Sequence, residues 1–554
     1  VRGANLAALS TRTERVRAEV SMKRVVKMAA VLAAATSVAT ASVLAEATKP
    51  RPSAPKPNSY LAAKTYAITH FDPAQTDAMP YAAPRGTFKV DLKQAPHVTQ
   101  GPVNIATLAS PSSRYMWAVS SQGATYVDVS GKRFEALAHI DAPGIKVITP
   151  EQHERALGTP FTSLDQVKHA VTEEYGLDWT RIANGVYSAV DRDNVLYYNT
   201  YAGDVLAIGL HDERRPEAGL KVLRKLDMRT HLTKSERIAG LSMTRDGHLI
   251  VLGNNSISVV DRTFKGKHQQ IRLPADETIT NSVAVDDHDG IYVASDKRMY
   301  KFVWSPHGLS NSERHGAWSA PYDTGHQPPN VKIGAGTGST PTLMGFGDDP
   351  DKLVVITDGA DRMKLVAFWR DEIPADAQTM PGQSARVAGK IQVTCGLEPM
   401  PEFIQSEQSV VVNGYGAFVV NNIGEQGSSD RLIDVLALGP VETPPRGVER
   451  FTWDAEQNVF RRAWARADVS STSMVPSMSQ PSNIVFTNGY DADSGWLLTG
   501  MDWNTGETVH RTGFGKDNRG NGAYALIQFM PDGDLLFNGV IGQTRVDLEK
   551  NRVK

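Results

Sequence analysis

An all-β fold of repeating four-stranded units is what this sequence predicts, and three observations predict it. First, short runs of four to six residues rich in Val, Ile, Leu, Tyr and Phe alternate with tight turns carrying Asp, Asn or Gly, as in "LSMTRDGHLIVLG" (Leu241–Gly253), "VAVDDHDGIYVAS" (Val283–Ser295) and "LIQFMPDGDLLFNG" (Leu526–Gly539). Second, the turns recur: Asp246 and Asp289 lie 43 residues apart, and Asp493 and Asp532 lie 39 apart. Third, 46 glycines and 31 prolines supply turns throughout. A period near 40–45 residues with about four strands per unit is the mark of a β-propeller blade.

The units can be laid out in order. They cover about 103–145, 185–228, 238–274, 280–323, 336–393, 409–468, 474–515 and 521–548. The last holds only three strands. "GTFKVDLKQ" (Gly86–Gln94) is a lone strand and is expected to complete it, so that N- and C-terminal strands close the ring and protect its edges. Eight blades are favoured over seven, with the propeller domain spanning 86–550. One segment breaks the period. In Thr149–Gly176, Leu164, Val167, Val171 and Tyr175 fall at helical spacing, and Ser163 with Gln166 three residues on makes a helix start. This reads as a helical insertion, either a lid over one face or a packing insert.

Before the repeats, Met22 opens a secretory pattern: Lys23, Arg24 and Lys27, then an Ala/Val/Leu-rich stretch with small-residue cleavage sites at Ala39–Ala41 and Val43–Ala45. Residues 1–48 are read as an upstream extension plus signal peptide, and 49–85 as a Pro-rich linker whose start, Lys49–Ser59, has four prolines. An exported protein, periplasmic or secreted, is expected, with no stable membrane span after cleavage. The net charge of −2 offers no basic field for nucleic acid. The single cysteine, Cys395, rules out an intramolecular disulfide and a thiolate cluster.

"KIGAGTGSTPTLMG" (Lys332–Gly345) looks at first like a phosphate cradle, but no Gly-Lys-Ser/Thr leads into a helix. Pro341 and the following "KLVVITD" argue for strands, with small residues letting inner strands converge on a narrow channel.

"STPTLMG" resembles the inner strands of PQQ-like (quinoprotein-type) bacterial propellers. "GMDWNTGETVH" (Gly500–His510) resembles that family's docking turn through Asp502, Thr505 and Gly506, with His510 near the place of its Trp. "YVDVSGKRFE" (Tyr126–Glu135) is a fainter copy, with Asp128, Gly131 and Lys132. The likeness points to a secreted subgroup of unassigned activity. It implies the fold and an oxidoreductase option. The family's alcohol dehydrogenases place an adjacent cysteine pair over PQQ; Cys395 alone cannot, which argues against that cofactor. The chain also lacks Cys-x-x-Cys-His for covalent haem.

Chemistry is sought where inner strands open at the channel mouth. Asn254, Asn281, Asp358 and Asn421 are the candidate metal ligands, a ring of oxygens suited to Ca²⁺. Asp358, Asp361 and Glu398 are the candidate acid-base residues; Thr340, Lys332 and Arg519 are the candidates for holding a cofactor or an anionic substrate. Four functions stay open: a small-molecule-binding propeller with catalysis unproven, a quinoprotein-like oxidoreductase, a metal-assisted hydrolase or lactonase, and a scaffold for protein or glycan.

Overall fold

A computed structural model describes residues 53–177, 183–326, 331–424 and 430–554. The expected signal peptide and the first residues of the linker lie outside them. Among the described residues no helix is long and apolar enough to cross a membrane.

Eight sheets follow one another along the chain, at 106–141, 189–227, 238–272, 284–321, 342–392, 411–470, 477–515 and 527–546. Each is an antiparallel meander, and the apolar runs seen in the sequence are its strands. The turns are built as the residues demand: Gly247, Asn194, Asp289 and Gly533 all sit at positive φ, where a tight hairpin needs Gly, Asn or Asp. First strands touch first strands of neighbouring sheets, as Thr342–Met344 does Val411–Asn413, while last strands meet at the rim, as Val387–Gln392 does Val459–Ser470. The ring closes where Leu526 N donates to Ile105 O at 2.9 Å, joining the eighth sheet to the first. The chain is a β-propeller.

The closure differs from the expected one. Gly86–Lys89 does not complete the last sheet; it adds in parallel to Thr508–Gly515, at the outer edge of the seventh. Its Phe88 is the reason: the ring is buried between His510, at 4.9 Å, and the Arg552 guanidinium, at 4.8 Å. The fourth strand of the eighth sheet is His97–Thr99, antiparallel to Gly542–Val546.

The docking-turn resemblance has a structural counterpart. Asp502 Oδ1 accepts from the backbone of Asn504 and Thr505, and Gly506 turns at φ +76°. A Cβ on Gly506 would sit 2.7 Å from Trp464, on the outer strand of the sixth sheet. Trp464 Nε1 in turn donates to Trp503 O at 2.9 Å. The turn therefore staples one sheet to the next.

The larger departure is in the segment grouped with the linker. Residues 65–79 are all buried. They wind through the central channel and bond to the inner strands of seven sheets. Ala109 N donates to Tyr66 O, Val190 N to Ala67 O, Val285 N to Pro73 O, Leu343 N to Ala74 O, Val412 N to Thr76 O and Met478 N to Asp77 O, all at 2.7–3.0 Å. The Tyr66 hydroxyl donates to Phe529 O on the eighth sheet, and Asn58 Nδ2 donates to Met243 O and Thr244 O on the third. With Asn58 included, this plug is tied to every sheet. It pays for the fit with strain: Tyr66, His70, Phe71, Gln75 and Asp77 all have φ between +53° and +77°. Each such residue costs on the order of 1–2 kcal/mol, and it persists because the inner strands fix the backbone on all sides.

The insertion forms helices Pro150–Leu157 and Leu164–His169, the latter running on through Ala170–Glu174. Ser163 caps as expected, accepting from Gln166 N at 3.3 Å. Leu157, Val167 and Val171 share one core with Leu432, Val435 and Leu436 of a second inserted helix, Arg431–Ala437.

Candidate functional site

The plug and the inner strands together make a blind funnel at one end of the channel. Its walls are the residues just before or at the start of the inner strands: Val103, Ile105, Ile238, Ala239, Val475 and Leu526. The cavity holds about 230 Å³. Thr69 and His70 of the plug contribute to its lining, so the propeller alone does not close the site.

His70 is the most chemically loaded residue of this lining. Its Nδ1 lies 2.9 Å from both carboxylate oxygens of Asp77, which is wholly buried. Tyr187 stacks on the imidazole, with ring centroids 5.8 Å apart and planes at 24°. Burial raises the Asp77 carboxyl above its ordinary range, and the imidazole beside it draws it back. Deeper in the plug, Asp72 Oδ1 accepts from Ala74 N at 2.8 Å and its other oxygen from Thr76 Oγ1; burial still pushes its carboxyl up to about 7.

Glu407 also lines the cavity. It stands in the loop before the inner strand Val411–Asn413, and Oε2 accepts from Ile333 N at 2.9 Å. Burial pushes its carboxyl up to about 8, against the pull of that amide and of Lys332 and Arg431. The glycine-rich stretch explains why Glu407 is there. A Cβ on Gly338 would collide with Ser406 O, so only glycine lets the two loops lie backbone to backbone. Ser339 Oγ donates to Gln408 O at 3.1 Å and Thr340 N to Ser409 Oγ at 3.2 Å, completing the seam. These glycines serve strand convergence.

The residues nominated from sequence are divided. Asn254 and Asn281 line the funnel. Asn254 Oδ1 accepts from Arg237 N at 2.8 Å, and Asn281 Oδ1 from the Tyr187 hydroxyl at 3.4 Å. Lys332 is buried behind the wall, with Nζ donating to Gln405 Oε1; burial lowers its ammonium to about 8, opposed by Glu407, Asp358 and Asp361. Thr340 borders the site through Ser282 N, which donates to its Oγ1 at 3.3 Å.

The others do not converge there. Asp358 ties a hairpin, with Oδ1 accepting from Lys364 N at 2.8 Å; burial lifts its carboxyl to about 6. Asn421 is spent on backbone, accepting from Gln405 N at 3.2 Å and donating to Arg446 O at 3.0 Å. Asp361 pairs with His326 at 3.0 Å on the surface, and Glu398 is exposed. Arg519 is held by Asp517 at 2.9 Å and by Glu154 of the inserted helix, away from the cavity lining. Strand-end Asn and Asp satisfy neighbouring amides first, and of the four nominated oxygens those of Asn254 and Asn281 belong to residues that line the cavity. Among the described residues, no three His, Cys, Asp or Glu side chains gather as a metal site would require. The helical insertion contributes nothing to the cavity lining and packs on helix Arg431–Ala437, whose Arg431 Nε donates to Lys332 O at 2.7 Å.

Sequence reasoning missed His70, Asp77, Tyr187 and Glu407. The signal that was available for two of them is "THFDPAQTDAM" (Thr69–Met79), which carries a His and two Asp in a stretch with no strand alternation.

No family model matches the chain. An uncharacterized protein of Archaeoglobus fulgidus is 36% identical over 322 residues, or 55% of this chain and 60% of that relative. The matched part thus spans about 60% of the relative's length. Among solved structures, a functionally unknown protein from Desulfotomaculum acetoxidans is similar over 73% of this chain and 97% of its own, at 11% identity and TM-score 0.34. Virginiamycin B lyase from Staphylococcus aureus is similar over 74% and 96%, at 8% and 0.33. Sqt1 from Chaetomium thermophilum is similar over 65% and 82%, at 15% and 0.37.

Proposed function

We propose that this protein is an exported β-propeller that binds a small, mainly apolar molecule in the funnel at the mouth of its central channel. The observation that carries the reading is the lining itself: apolar side chains such as Ile105, Ile238, Val475 and Leu526 set among polar groups, His70, Arg237, Asn281 and Glu407 among them. Such a cavity recognises a ligand by burying its hydrocarbon part and fixing its orientation through few hydrogen bonds. Export is supported by the secretory pattern over Met22–Ala45. The quinoprotein-like option has only the strand and docking-turn resemblances behind it, and the docking turn serves sheet-to-sheet stapling.

The test uses N-phenyl-1-naphthylamine, a neutral dye that brightens in apolar cavities. The wild-type protein is expected to bind it, and Ala239→Trp, which fills the funnel from one wall, to lose most of the signal. Equal brightness in the two proteins would remove the funnel as the binding site.

A further inference from the structure

The lining of the funnel carries more than binding requires. A buried imidazole needs one hydrogen bond to be tolerated; His70 has a buried carboxylate on one nitrogen and an aromatic ring against its face. A carboxylate beside Nδ1 accepts a hydrogen from it, which leaves the lone pair on Nε2. Among the described residues nothing hydrogen-bonds Nε2, and it is not one of the enclosed polar atoms left without a partner; it therefore opens onto the cavity that His70 lines. Orientation, tautomer and access are the three things a general base must have. The strained backbone points the same way. His70 itself is at φ +62° and Asp77 at φ +53°, so the chain holds both members of the pair in costly conformations.

We propose that His70 is the general base of a proton-transfer site, with Asp77 as its positioning residue, acting on a small apolar molecule that carries a C–H made acidic by a neighbouring carbonyl. The inference rests on the funnel being a binding site. In the step, Nε2 takes the proton from carbon, and the electron pair left behind moves into the carbonyl. The carbonyl oxygen takes a proton from the Glu407 carboxylic acid in the same cavity. Return of the two protons, to the same or a neighbouring carbon and to Glu407, restores the enzyme. Burial supports the roles, since it favours the neutral acid form of the Glu407 carboxyl.

The experiment uses 5-nitrobenzisoxazole, an apolar probe that reports a base directly. Removal of its ring C–H proton by Nε2 turns that electron pair into the third bond of a nitrile. The N–O bond breaks, its pair goes to the phenolate oxygen, and the coloured cyanophenolate is read by absorbance; the imidazolium then releases its proton to water. Wild-type protein is expected to open the ring faster than buffer, with N-phenyl-1-naphthylamine blocking the reaction. His70→Gln is expected to lower the rate at least tenfold, beyond any change in its affinity for the dye, and Asp77→Asn to lower it while shifting the tautomer. A wild-type rate no greater than buffer, or a rate kept in His70→Gln, overturns the proposal. Dye binding kept in either case leaves the binding reading standing, so the two failures are distinguishable. A second measurement needs no variant. In ¹⁵N-histidine-labelled wild type, the imidazole whose signals move when the dye is added should carry hydrogen on Nδ1 and none on Nε2. The opposite tautomer also overturns the assignment.

Discussion

Asp77, in the plug, and Asp502, in the turn that staples the sixth sheet to the seventh at the rim, are both aspartates at turns of the chain, yet their surroundings set them apart. Asp502 accepts from two backbone amides and from Arg85 at 3.0 Å, and these partners hold its carboxyl below the ordinary range despite partial burial. Asp77 is sealed from water with one imidazole for company, and its carboxyl is raised. The rim turn is relaxed, with Gly506 taking the positive φ; the plug asks five non-glycine residues to do so. The lesson is that the rim spends its aspartates on stability alone. The plug accepts strained and desolvated groups where a cavity can use them.

The comparison can be broken or sharpened by measurement, beginning with the largest effect. Phe71 is buried in the plug, edge-on to Tyr66 with ring centroids 4.8 Å apart. Phe71→Ala is expected to cost about 3–5 kcal/mol in denaturant unfolding. A loss below about 1 kcal/mol would mean that the plug is not part of the folded core.

The next effect is a pH dependence. In the folded chain Asp72 holds its proton up to about pH 7, whereas its ordinary value is 3.8. The folded state therefore binds more protons across that window, and stability falls as pH rises from about 4 to about 7. Each unit of separation is worth about 1.4 kcal/mol. Asp72→Asn keeps an oxygen for Ala74 N, offers an N–H to Thr76 Oγ1 in place of the second oxygen and removes the titration, so its unfolding midpoint should fall less than that of wild type between pH 5 and pH 8. Parallel curves would show that Asp72 ionises as freely folded as unfolded.

A smaller contrast concerns glycine. Gly338→Ala forces the two loops at the mouth apart and is expected to cost about 1–3 kcal/mol and to weaken dye binding. Gly131→Ala, at φ +61° in open space at the rim, should cost about 1 kcal/mol and leave binding alone. The smallest effect is at the rim aspartate. Asp502→Asn keeps the backbone bonds and loses only an exposed pairing with Arg85, so a change within about 1 kcal/mol is expected. A large loss there would erase the distinction between rim and plug.

The sheets were legible in the sequence because strands and hairpins are local. The Asp-Gly turns at Asp246, Asp289 and Asp532 carry their own geometry, and the sheet limits fall within a few residues of the expected ones. Gly336 and Gly338 were rightly read as close approach, since a Cβ on either would strike the backbone of another loop. The plug was not legible. "YAITHFDPAQTDAM" (Tyr66–Met79) has neither a helical nor a strand period, and its partners lie as far off as Phe529. His70 was one of 14 scattered histidines, and a spacing of seven from Asp77 signals nothing outside a regular element. The strand Gly86–Lys89 was visible but its neighbour was not, because alternation fixes a strand's faces and not which edge it joins.

The plug also sets an order of assembly. Residues 65–79 leave the ribosome before any sheet exists, yet Tyr66 bonds to Phe529, which is synthesised some 460 residues later. The earliest part of the ring to be made is finished only when the latest has arrived, so a nascent chain cut short before the eighth sheet holds a plug whose Tyr66 hydroxyl still lacks its partner.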